Sequence, residues 1–364
     1  MRAIILVLLT VVFYSCSTDK NNNLSINDTE TLFTLLDAKE TGIDFLNKVK
    51  NQKNFNIFKY RNFYNGGGVA IGDINNDGLA DIYLTGNMVA NKLYLNKGNL
   101  TFEDISVSAG IEGNKPWSTG VVMVDINQDG LLDIYVSNAG NLKGNNHDND
   151  LYINNGDLTF TEKAAEFNLA KTGFSTHASF FDYDKDGDLD AYILNNSNIP
   201  VSSLGYAEQR DKRAQDWENV PAIFRGVGDM LLRNDNGKFV DVSEQAGIYG
   251  SLIGFGLGVM VTDMNGDLYP DIYVSNDFYE RDYLYINNQD GTFKEDITNW
   301  TSHLSLSAMG VDIADINNDG NADIFITDML PEADQRVKSV MEFEGYNVFK
   351  LKQSKDFSQQ YIQN

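Results

Sequence analysis

Acidic and amide side chains alternate in a nine-residue pattern of the kind that binds a metal ion. The stretch that begins at Asp73 reads DINNDGLAD, which puts side-chain oxygens at positions 1, 3, 5 and 9 and a glycine at position 6. The backbone carbonyl of position 7 can add a further ligand. Oxygen ligands in this number suit Ca²⁺, which takes about six to eight of them, better than the tighter octahedron of Mg²⁺. The pattern therefore predicts a calcium loop.

Five copies of this loop occur in the chain, and their predicted ligands share the same positions. The ligands are Asp73, Asn75, Asp77, Leu79 and Asp81; Asp125, Asn127, Asp129, Leu131 and Asp133; Asp182, Asp184, Asp186, Asp188 and Asp190; Asp263, Asn265, Asp267, Tyr269 and Asp271; and Asp315, Asn317, Asp319, Asn321 and Asp323. No loop contains His or Cys, which disfavours zinc, copper and iron. We expect up to five Ca²⁺ ions that stabilise the fold, because grouped carboxylates repel one another without metal.

The loop is not an EF-hand, although its first six residues resemble one. An EF-hand needs a bidentate Glu at position 12 and flanking helices. Position 12 in the five copies is an apolar residue: Leu84, Val136, Ile193, Val274 and Ile326. The loop therefore closes at position 9 and continues into a strand, as in a β-hairpin.

The five loops are not equal. The third has Asp at all five ligand positions and should bind its ion most tightly. In the fourth, Leu268 stands at position 6 and Gly266 lies two positions earlier. If position 6 needs a positive φ, Leu268 is strained, so we expect the site at Asp263 to be the weakest. An alternative interpretation is that Asp-Gly merely makes turns, but turns do not require the Asp at position 9.

Short apolar runs flank every loop and predict the strands that position it. VAIG, VVMV, ASFF, VMVT and VDIA precede the loops, and DIYL, DIYV, DAYI, DIYV and DIFI follow them. Such β-branched and aromatic runs favour strands. A second hairpin, such as KLYLNKGNLTF, follows most loops. Each period thus contains four strands in about 50 residues, which is typical of a β-propeller blade.

The repeat predicts an all-β fold, a β-propeller of four-stranded blades, over residues 29–364. We expect about five blades, at 62–112, 116–170, 172–248, 252–300 and 305–364, the last incomplete. The final residues, YIQN, resemble the start of another second hairpin, so we expect the chain to be cut inside its fifth blade. Irregular segments at 138–150, 196–228 and 331–359 interrupt the repeat.

Two further positions recur with the loops. The residue five before each first Asp is Gly68, Gly120, His177, Gly258 and Gly310 in the five copies. Glycine at this place predicts close backbone approach or a bulge. Trp117, Phe174 and Phe255 each lie eight residues before a loop, and this regular spacing predicts a core position.

The N-terminal residues read as a targeting segment. Arg2 precedes an apolar run that is too short to span a bilayer, which takes about 20 residues, so residues 1–15 are predicted to be a signal peptide. Phe13-Tyr14-Ser15-Cys16 resembles a lipoprotein cleavage box, with Cys16 as the lipidated residue, although the cysteine could be incidental. Residues 16–28 are polar and predict a flexible tether. Between this tether and the first blade we expect a helical turn and a strand over 55–60.

Charge and cysteine content exclude some functions. The net charge is −24, with 52 acidic and 28 basic residues, which argues against nucleic-acid binding. The single cysteine excludes an internal disulfide.

The repeated pattern G-x-x-x-x-D-x-N-x-D-G-x-x-D-I-Y, with its trailing LYxNNG, resembles the FG-GAP/VCBS repeats of integrin-α-like β-propellers. NGGGVAIGDINNDGLADIYLTGN and FFDYDKDGDLD are similar to bacterial surface lipoproteins of the ASPIC/UnbV, cartilage acidic protein-like, group. The resemblance covers about residues 62–328. It implies a calcium-binding propeller, usually of seven blades, with the other blades and the ASPIC/UnbV domain beyond residue 364. These motifs are specific for fold and calcium but not for function.

We weigh three functions. The first is a lipid-anchored binding or adhesion module on the bacterial cell envelope, outer membrane or cell surface, with a glycan or protein ligand on its irregular loops. Trp217 and Tyr206 could stack on sugar, or simply pack their segment. The second is the propeller part of a secreted enzyme that processes polysaccharide or lipid, and the third is a scaffold for a missing C-terminal domain. A glycan array on the calcium-loaded protein would discriminate among them.

Catalytic residues are not recognisable in the sequence. The three histidines, His147, His177 and His303, lack a nucleophile with an orienting partner. A lone general base such as Asp148 stays open. We therefore expect no enzymatic activity from this chain.

Overall fold

The computed structural model describes residues 32–140, 147–197, 213, 226–250, 252–340, 345–355 and 357–362. From Ala38 onward they belong to one compact unit, and residues 32–37 before it contain no helix or strand. The predicted signal peptide, Cys16 and the tether lie outside the described residues, as do Tyr206, Trp217 and most of the 196–228 segment.

Antiparallel strands in the described residues form four four-stranded sheets and one hairpin. The sheets are β1–β4 (Val69–Gly72, Asp81–Leu84, Lys92–Asn96, Phe102–Asp104), β5–β8 (Ser118–Val124, Asp133–Asn138, Asp150–Asn154, Phe160–Glu162), β9–β12 (Ser175–Phe181, Asp190–Asn195, Met230–Asn234, Phe239–Asp241) and β13–β16 (Gly256–Thr262, Asp271–Asn276, Tyr283–Asn287, Phe293–Glu295). The hairpin is β17–β18 (Ala308–Ala314, Asp323–Asp328). Within each sheet, each strand pairs with the next one along the chain. The predicted all-β fold of four-stranded propeller blades is confirmed.

Helices are short and lie before, between or after the sheets in the chain. They are α1 (Ala38–Thr41), a 3₁₀ turn (Arg61–Tyr64), α2 (Ser106–Ala109), α3 (Ala164–Phe167), α4 (Ile297–Trp300), α5 (Asp334–Val340) and α6 (Tyr346–Ser354). The last two lie in the predicted irregular segment 331–359. No helix among the described residues has the length and apolar character that a bilayer span needs.

The hydrophobic core lies in layers between neighbouring blades. In β6, Ile134 and Val136 pack toward the first blade, whereas Tyr135 between them packs toward the third. Successive strand residues point to opposite faces of a sheet, so both faces of a central strand are buried. This explains why β6, β10 and β14 are buried along their whole length.

The first strands of successive blades, β1, β5, β9, β13 and β17, lie next to one another. They approach closely because small residues face the neighbouring backbone. A Cβ atom on Gly68 would lie 2.7 Å from the carbonyl oxygen of Thr119, and one on Gly120 would lie 2.7 Å from Nδ1 of His177. The recurring glycine therefore serves close backbone approach, as its position in the repeat predicts. Trp117, Phe174 and Phe255 are buried.

The predicted strand over 55–60 is wrong. Phe55 makes only an isolated bridge to Gln52, and Asn56 accepts the N–H of Phe58 in a local turn. The aromatic residues of this segment instead form a cluster with a blade, because Phe55 and Tyr60 both pack on Trp117 at ring distances of 5.1 and 5.5 Å. The aromatic side chains of this segment are therefore explained by their packing on Trp117 and not by a strand.

Candidate metal centres

Each predicted loop joins the first two strands of its blade, so all five lie at the same end of the first strands. In every loop the position 1 carboxylate accepts the backbone N–H groups of positions 5 and 6. In the first loop, Asp73 Oδ1 accepts from Asp77 at 3.1 Å and Oδ2 from Gly78 at 2.7 Å. The position 5 carboxylate then accepts the N–H of position 7. Local hydrogen bonds of this kind are what Asp offers a turn, and they fix the side-chain oxygens of positions 1 and 5 inside it.

Two loop positions, not one, require a left-handed backbone. Position 6 has φ between 72° and 99° in all five loops, and Leu268 has φ 72° there. Position 4 is also left-handed, and its residues are Asn76, Gln128, Lys185, Gly266 and Asn318. Gly266 therefore occupies the other left-handed position, which the sequence pattern did not reveal. The prediction that Leu268 adopts a strained backbone is consistent with its positive φ.

The Asp at position 9 fastens the loop to the third strand of its blade. Asp81 is buried, its Oδ2 accepts the N–H of Ile74 at 3.0 Å, and its Oδ1 accepts the N–H of Asn96 at 2.7 Å. Asp133, Asp190 and Asp271 make the same pair of bonds. A role of position 9 as a metal ligand stays a prediction, as does the carbonyl of position 7.

Position 3 separates the third loop from the others. In loops one, two, four and five, the Asn at position 3 donates its amide to the position 5 carboxylate, as Asn75 does to Asp77 at 3.0 Å. Asp184 occupies this position in the third loop and, when ionised, has no proton to donate. The third loop therefore brings carboxylates together without the amide that bridges them elsewhere.

The third loop forms a carboxylate cluster that fits a cation. Ligand oxygens of Asp182, Asp184 and Asp190 lie within 4.8 Å of one another. Among the described residues, Oδ1 of Asp184 and Oδ1 of Asp188 are buried without a hydrogen-bond partner. Burial, followed by the charges of neighbouring carboxylates, raises the pKa of Asp188 to about 6. Buried unpartnered carboxylate oxygens are costly, and a hard divalent cation is the partner that they suit.

The loops also contact one another through position 4. Asn76 donates to the carbonyl of Gly130 at 3.0 Å, and Gln128 donates to the carbonyl of Gly187 at 3.1 Å. Lys185 places its ammonium 5.6 Å from the ring centre of Tyr269. Loops one to four are thus connected in series along one rim of the blades.

A second recurring contact was missed in the sequence. The Tyr of each DIY or DAY motif is buried, and Tyr192 and Tyr273 donate their hydroxyls to Asp229 and Asp282 at 2.9 and 2.8 Å. Blades one and two have Asn91 and Asn149 in these places, which also accept the N–H at the end of the second strand. The signal was present in the sequence, because an Asn or Asp stands two residues before the first Leu of the third strand in each of the four sheets: Asn91, Asn149, Asp229 and Asp282.

The three histidines lie in different parts of the unit. His147 is buried, bonds the carbonyl of Gly173 and stacks on Phe174. His177 lies in β9, and His303 pairs with the hydroxyl of Ser302 at 3.0 Å. Asp148 bonds the hydroxyl of Thr172. These contacts give His147 and Asp148 structural partners.

Comparison with known proteins bears on the repeat region. Residues 73–136, 139–193 and 263–326, together about half of the chain, match the family model described as FG-GAP-like repeat. Cartilage acidic protein 1 of Xenopus tropicalis is 34% identical over 218 residues, which cover 59% of this chain and 29% of that protein. Cartilage acidic protein 1 of Mus musculus is 28% identical over 216 residues, which cover 58% and 29%.

The matched part of the chain thus spans less than a third of the length of these relatives. Among solved structures, the crystal structure of the V. cholerae biofilm matrix protein Bap1 aligns with 73% of this chain and 34% of that chain, at 14% identity and a TM-score of 0.36. The repeat match and the four-stranded blades agree on the same residues. The chain belongs to the family of proteins with FG-GAP-like repeats, and it is similar to cartilage acidic protein.

Proposed function

We propose that this chain is a calcium-stabilised β-propeller module that binds an extracellular ligand and performs no catalysis. The ions would hold the loops at one rim of the blades, and ligand recognition would occur on other surfaces. The propeller would belong to an exported protein that Cys16 anchors to the bacterial envelope through lipid, without a membrane-spanning segment.

The carboxylate cluster of the third loop carries the calcium proposal. A turn alone would explain the hydrogen bonds that positions 1 and 5 make to the backbone in every loop. It would not explain Asp184 and Asp188, whose Oδ1 atoms are buried and lack hydrogen-bond partners among the described residues. A cation is the group that makes this arrangement favourable, because opposite charge offsets the repulsion between neighbouring carboxylates.

Side-chain oxygens at positions 1, 3, 5 and 9 and the carbonyl of position 7 would hold the ion, with the Asp188 carboxylate as an added ligand in the third loop. When bound, Ca²⁺ would supply positive charge that joins the two ends of the loop. The chain's own residues already fix those two ends, because the position 1 carboxylate accepts N–H groups of the turn and the position 9 carboxylate accepts an N–H of the third strand. The amide at position 3 in the other four loops would rotate its oxygen toward the ion and release its bond to position 5.

Thermal unfolding with and without metal tests the calcium proposal. Metal that binds only the folded state stabilises it by about 2.7 kcal/mol at a hundredfold excess over Kd. For a unit of this size we expect EDTA to lower Tm by about 5–10 °C and added Ca²⁺ to restore it. Mg²⁺ at the same concentration is the control and should restore less. A melting curve that EDTA leaves unchanged would contradict the proposal.

The anchor is tested separately. The full chain, expressed in a bacterium with a lipoprotein pathway, should incorporate radiolabelled palmitate and partition into detergent. Cys16→Ser should abolish both, because no other residue of the chain offers a thiol. Labelling that persists in the variant would exclude Cys16 as the modified residue.

A further inference from the structure

A cavity lies where the first strands of the blades meet. Its volume is about 610 Å³, within the range of about 300–1,000 Å³ that small-ligand pockets have. Residues from all five blades line it, including Gly68, Thr119, His177, Leu257 and Met309. These residues lie in or just before the first halves of the first strands, whereas the metal loops follow the last residues of the same strands. The cavity and the metal loops are thus at opposite ends.

Two polar side chains of the cavity lack partners among the described residues. Asn62 is 3% exposed, and its Nδ2 has no hydrogen-bond acceptor. Nδ1 of His177 is buried and also has no partner. Buried polar groups in proteins are normally hydrogen-bonded, so two such atoms on one cavity wall indicate a ligand that would bond them.

The position of His177 is a departure from the repeat. Four blades have glycine at this place, and only the third has an imidazole. The neighbouring Gly120 leaves room for it, since a Cβ there would lie 2.7 Å from Nδ1 of His177. The two hydroxyls nearby are already engaged: Thr119 donates to the carbonyl of Ser175 at 2.7 Å, and Thr176 to that of Gly256 at 2.9 Å. Among the polar side chains of the lining, this leaves Asn62, Asn65 and His177 without a hydrogen bond to the described residues.

The wall of the cavity is uncharged and has one aromatic ring. No Lys, Arg, Asp or Glu is among the described residues that line it. Tyr64 is 60% exposed, although its hydroxyl accepts from Asn51 at 2.9 Å and Phe63 packs at right angles to its ring. These two contacts hold the ring in place without covering it. An exposed ring that is already ordered loses little conformational freedom when a ligand stacks on it.

We propose that this cavity binds a neutral, hydroxyl-rich ligand, namely a pyranose unit of an oligosaccharide. Its hydroxyl oxygens would accept from Nδ2 of Asn62 and bond Nδ1 of His177, and a face of the sugar ring would lie on Tyr64. Burial lowers the pKa of His177, so its imidazole is neutral at pH 7 and attracts no anion. The inference names the ligand class of the binding role proposed above and rests on that role.

The test uses the purified full chain, saturated with Ca²⁺, on an array of neutral and acidic oligosaccharides. We expect binding to one or more neutral oligosaccharides, and titration calorimetry with the best of them gives the reference Kd. Tyr64→Ala should weaken that Kd by about tenfold or more through loss of the stacking surface. His177→Gly restores the residue of the other blades, so it should fold, and should weaken binding by about three- to tenfold through loss of one hydrogen bond.

The control is Tyr346→Ala, which removes a tyrosine of similar exposure (67%) on α6 and should leave the Kd unchanged. Equal Tm values for all variants in Ca²⁺ would show that folding is intact. If neither Tyr64→Ala nor His177→Gly weakens oligosaccharide binding, the proposal that the cavity is the binding site is wrong, whereas the proposed binding role still holds. An array without any bound oligosaccharide, or with only acidic ones, would overturn the ligand class. Neither result bears on the calcium melt, which tests the metal independently.

Discussion

The third and fourth of the predicted metal loops follow the same backbone path with different compositions. The third has five carboxylates and keeps glycine at position 6, whereas the fourth has an amide at position 3 and Leu268 at position 6. Both nevertheless make the same bonds from position 1 to positions 5 and 6. The fold therefore tolerates either electrostatic repulsion or backbone strain in a loop. If the calcium proposal is correct, the third loop should depend on a cation and the fourth on its hydrogen bonds.

The largest effect should come from position 9, where the two loops are alike. Asp190→Ala would leave the N–H groups of Tyr183 and Asn234 unpaired, and Asp271→Ala would do the same to Met264 and Asn287. An unsatisfied buried donor costs about 1–3 kcal/mol, so each variant, with two such donors, should lose about 2–6 kcal/mol in urea unfolding with EDTA. Glu244→Ala, at an exposed position, is the control. A large loss of stability in only one of the two variants would show that position 9 does not have the same role in the two loops.

The free energy of unfolding, measured in EDTA at several pH values, should show how buried carboxyl groups affect stability without metal in the third and fourth blades. Burial raises the pKa of Asp229 to about 6 and of Asp282 to about 7, far above the unfolded value near 4. The folded state then binds more protons than the unfolded state between about pH 4 and 7, so stability falls as pH rises through this window, by up to about 1.4 kcal/mol per pH unit for each group.

Asp282→Asn should flatten part of this slope when measured in EDTA. Blades one and two already have Asn at the equivalent position, so the variant should fold. Asp328 is the other carboxyl that raises the pKa of Asp282, and it is unchanged in the variant. Chemical unfolding at pH 5, 6 and 7 measures the slope. An unchanged slope would assign the pH dependence to other groups.

Exchanging position 3 between the loops should reverse their dependence on metal. Asp184→Asn supplies the missing amide donor, so in EDTA it should stabilise the protein by about 1–3 kcal/mol. Asn265→Asp should destabilise it by a similar amount under the same conditions. In excess Ca²⁺ the first variant should lose its advantage, and calorimetry should show weaker binding. The same response in EDTA and Ca²⁺ would mean that position 3 does not contact the ion.

The smallest effect should come from the backbone of the fourth loop. Leu268 is 77% exposed and has φ 72°, so Leu268→Gly removes strain without removing packing. A left-handed residue with a side chain is about 1–2 kcal/mol less favourable than glycine, and the flexibility of glycine in the unfolded chain reduces the gain. We expect a rise of about 1 kcal/mol. Gly266→Ala, at the other left-handed position of this loop, should lower stability instead.

The sequence was informative wherever the relevant residues are close together in the chain. The loops, their hairpins and the close approach at Gly68 and Gly120 follow from local spacing. The bond of Asp190 to Asn234 was not predictable, because it joins residues 44 apart across a segment with no strand pattern. The wrong prediction of a strand over 55–60 has the same origin. Phe55 and Tyr60 pack on Trp117, which lies more than 50 residues further along the chain.

The cavity was less predictable still, because the second to fifth blades contribute only one to three residues each to it. His177 stands out in sequence as an exception to a glycine position, which by itself indicates a structural adjustment. A role of His177 in binding could be inferred only together with Asn62 and Tyr64, which lie before β1 and follow no repeated pattern.

The layered core has a consequence for synthesis. A central strand such as β6 covers one core with Ile134 and Val136 and the next core with Tyr135. A newly delivered blade therefore has one apolar face uncovered until the first strand of its successor follows it. Whether the chain emerges during synthesis or during export, folding should lag one blade behind its delivery, and the long segment at 196–228 extends this delay for the third blade. Exposure to chaperones should be greatest at that stage.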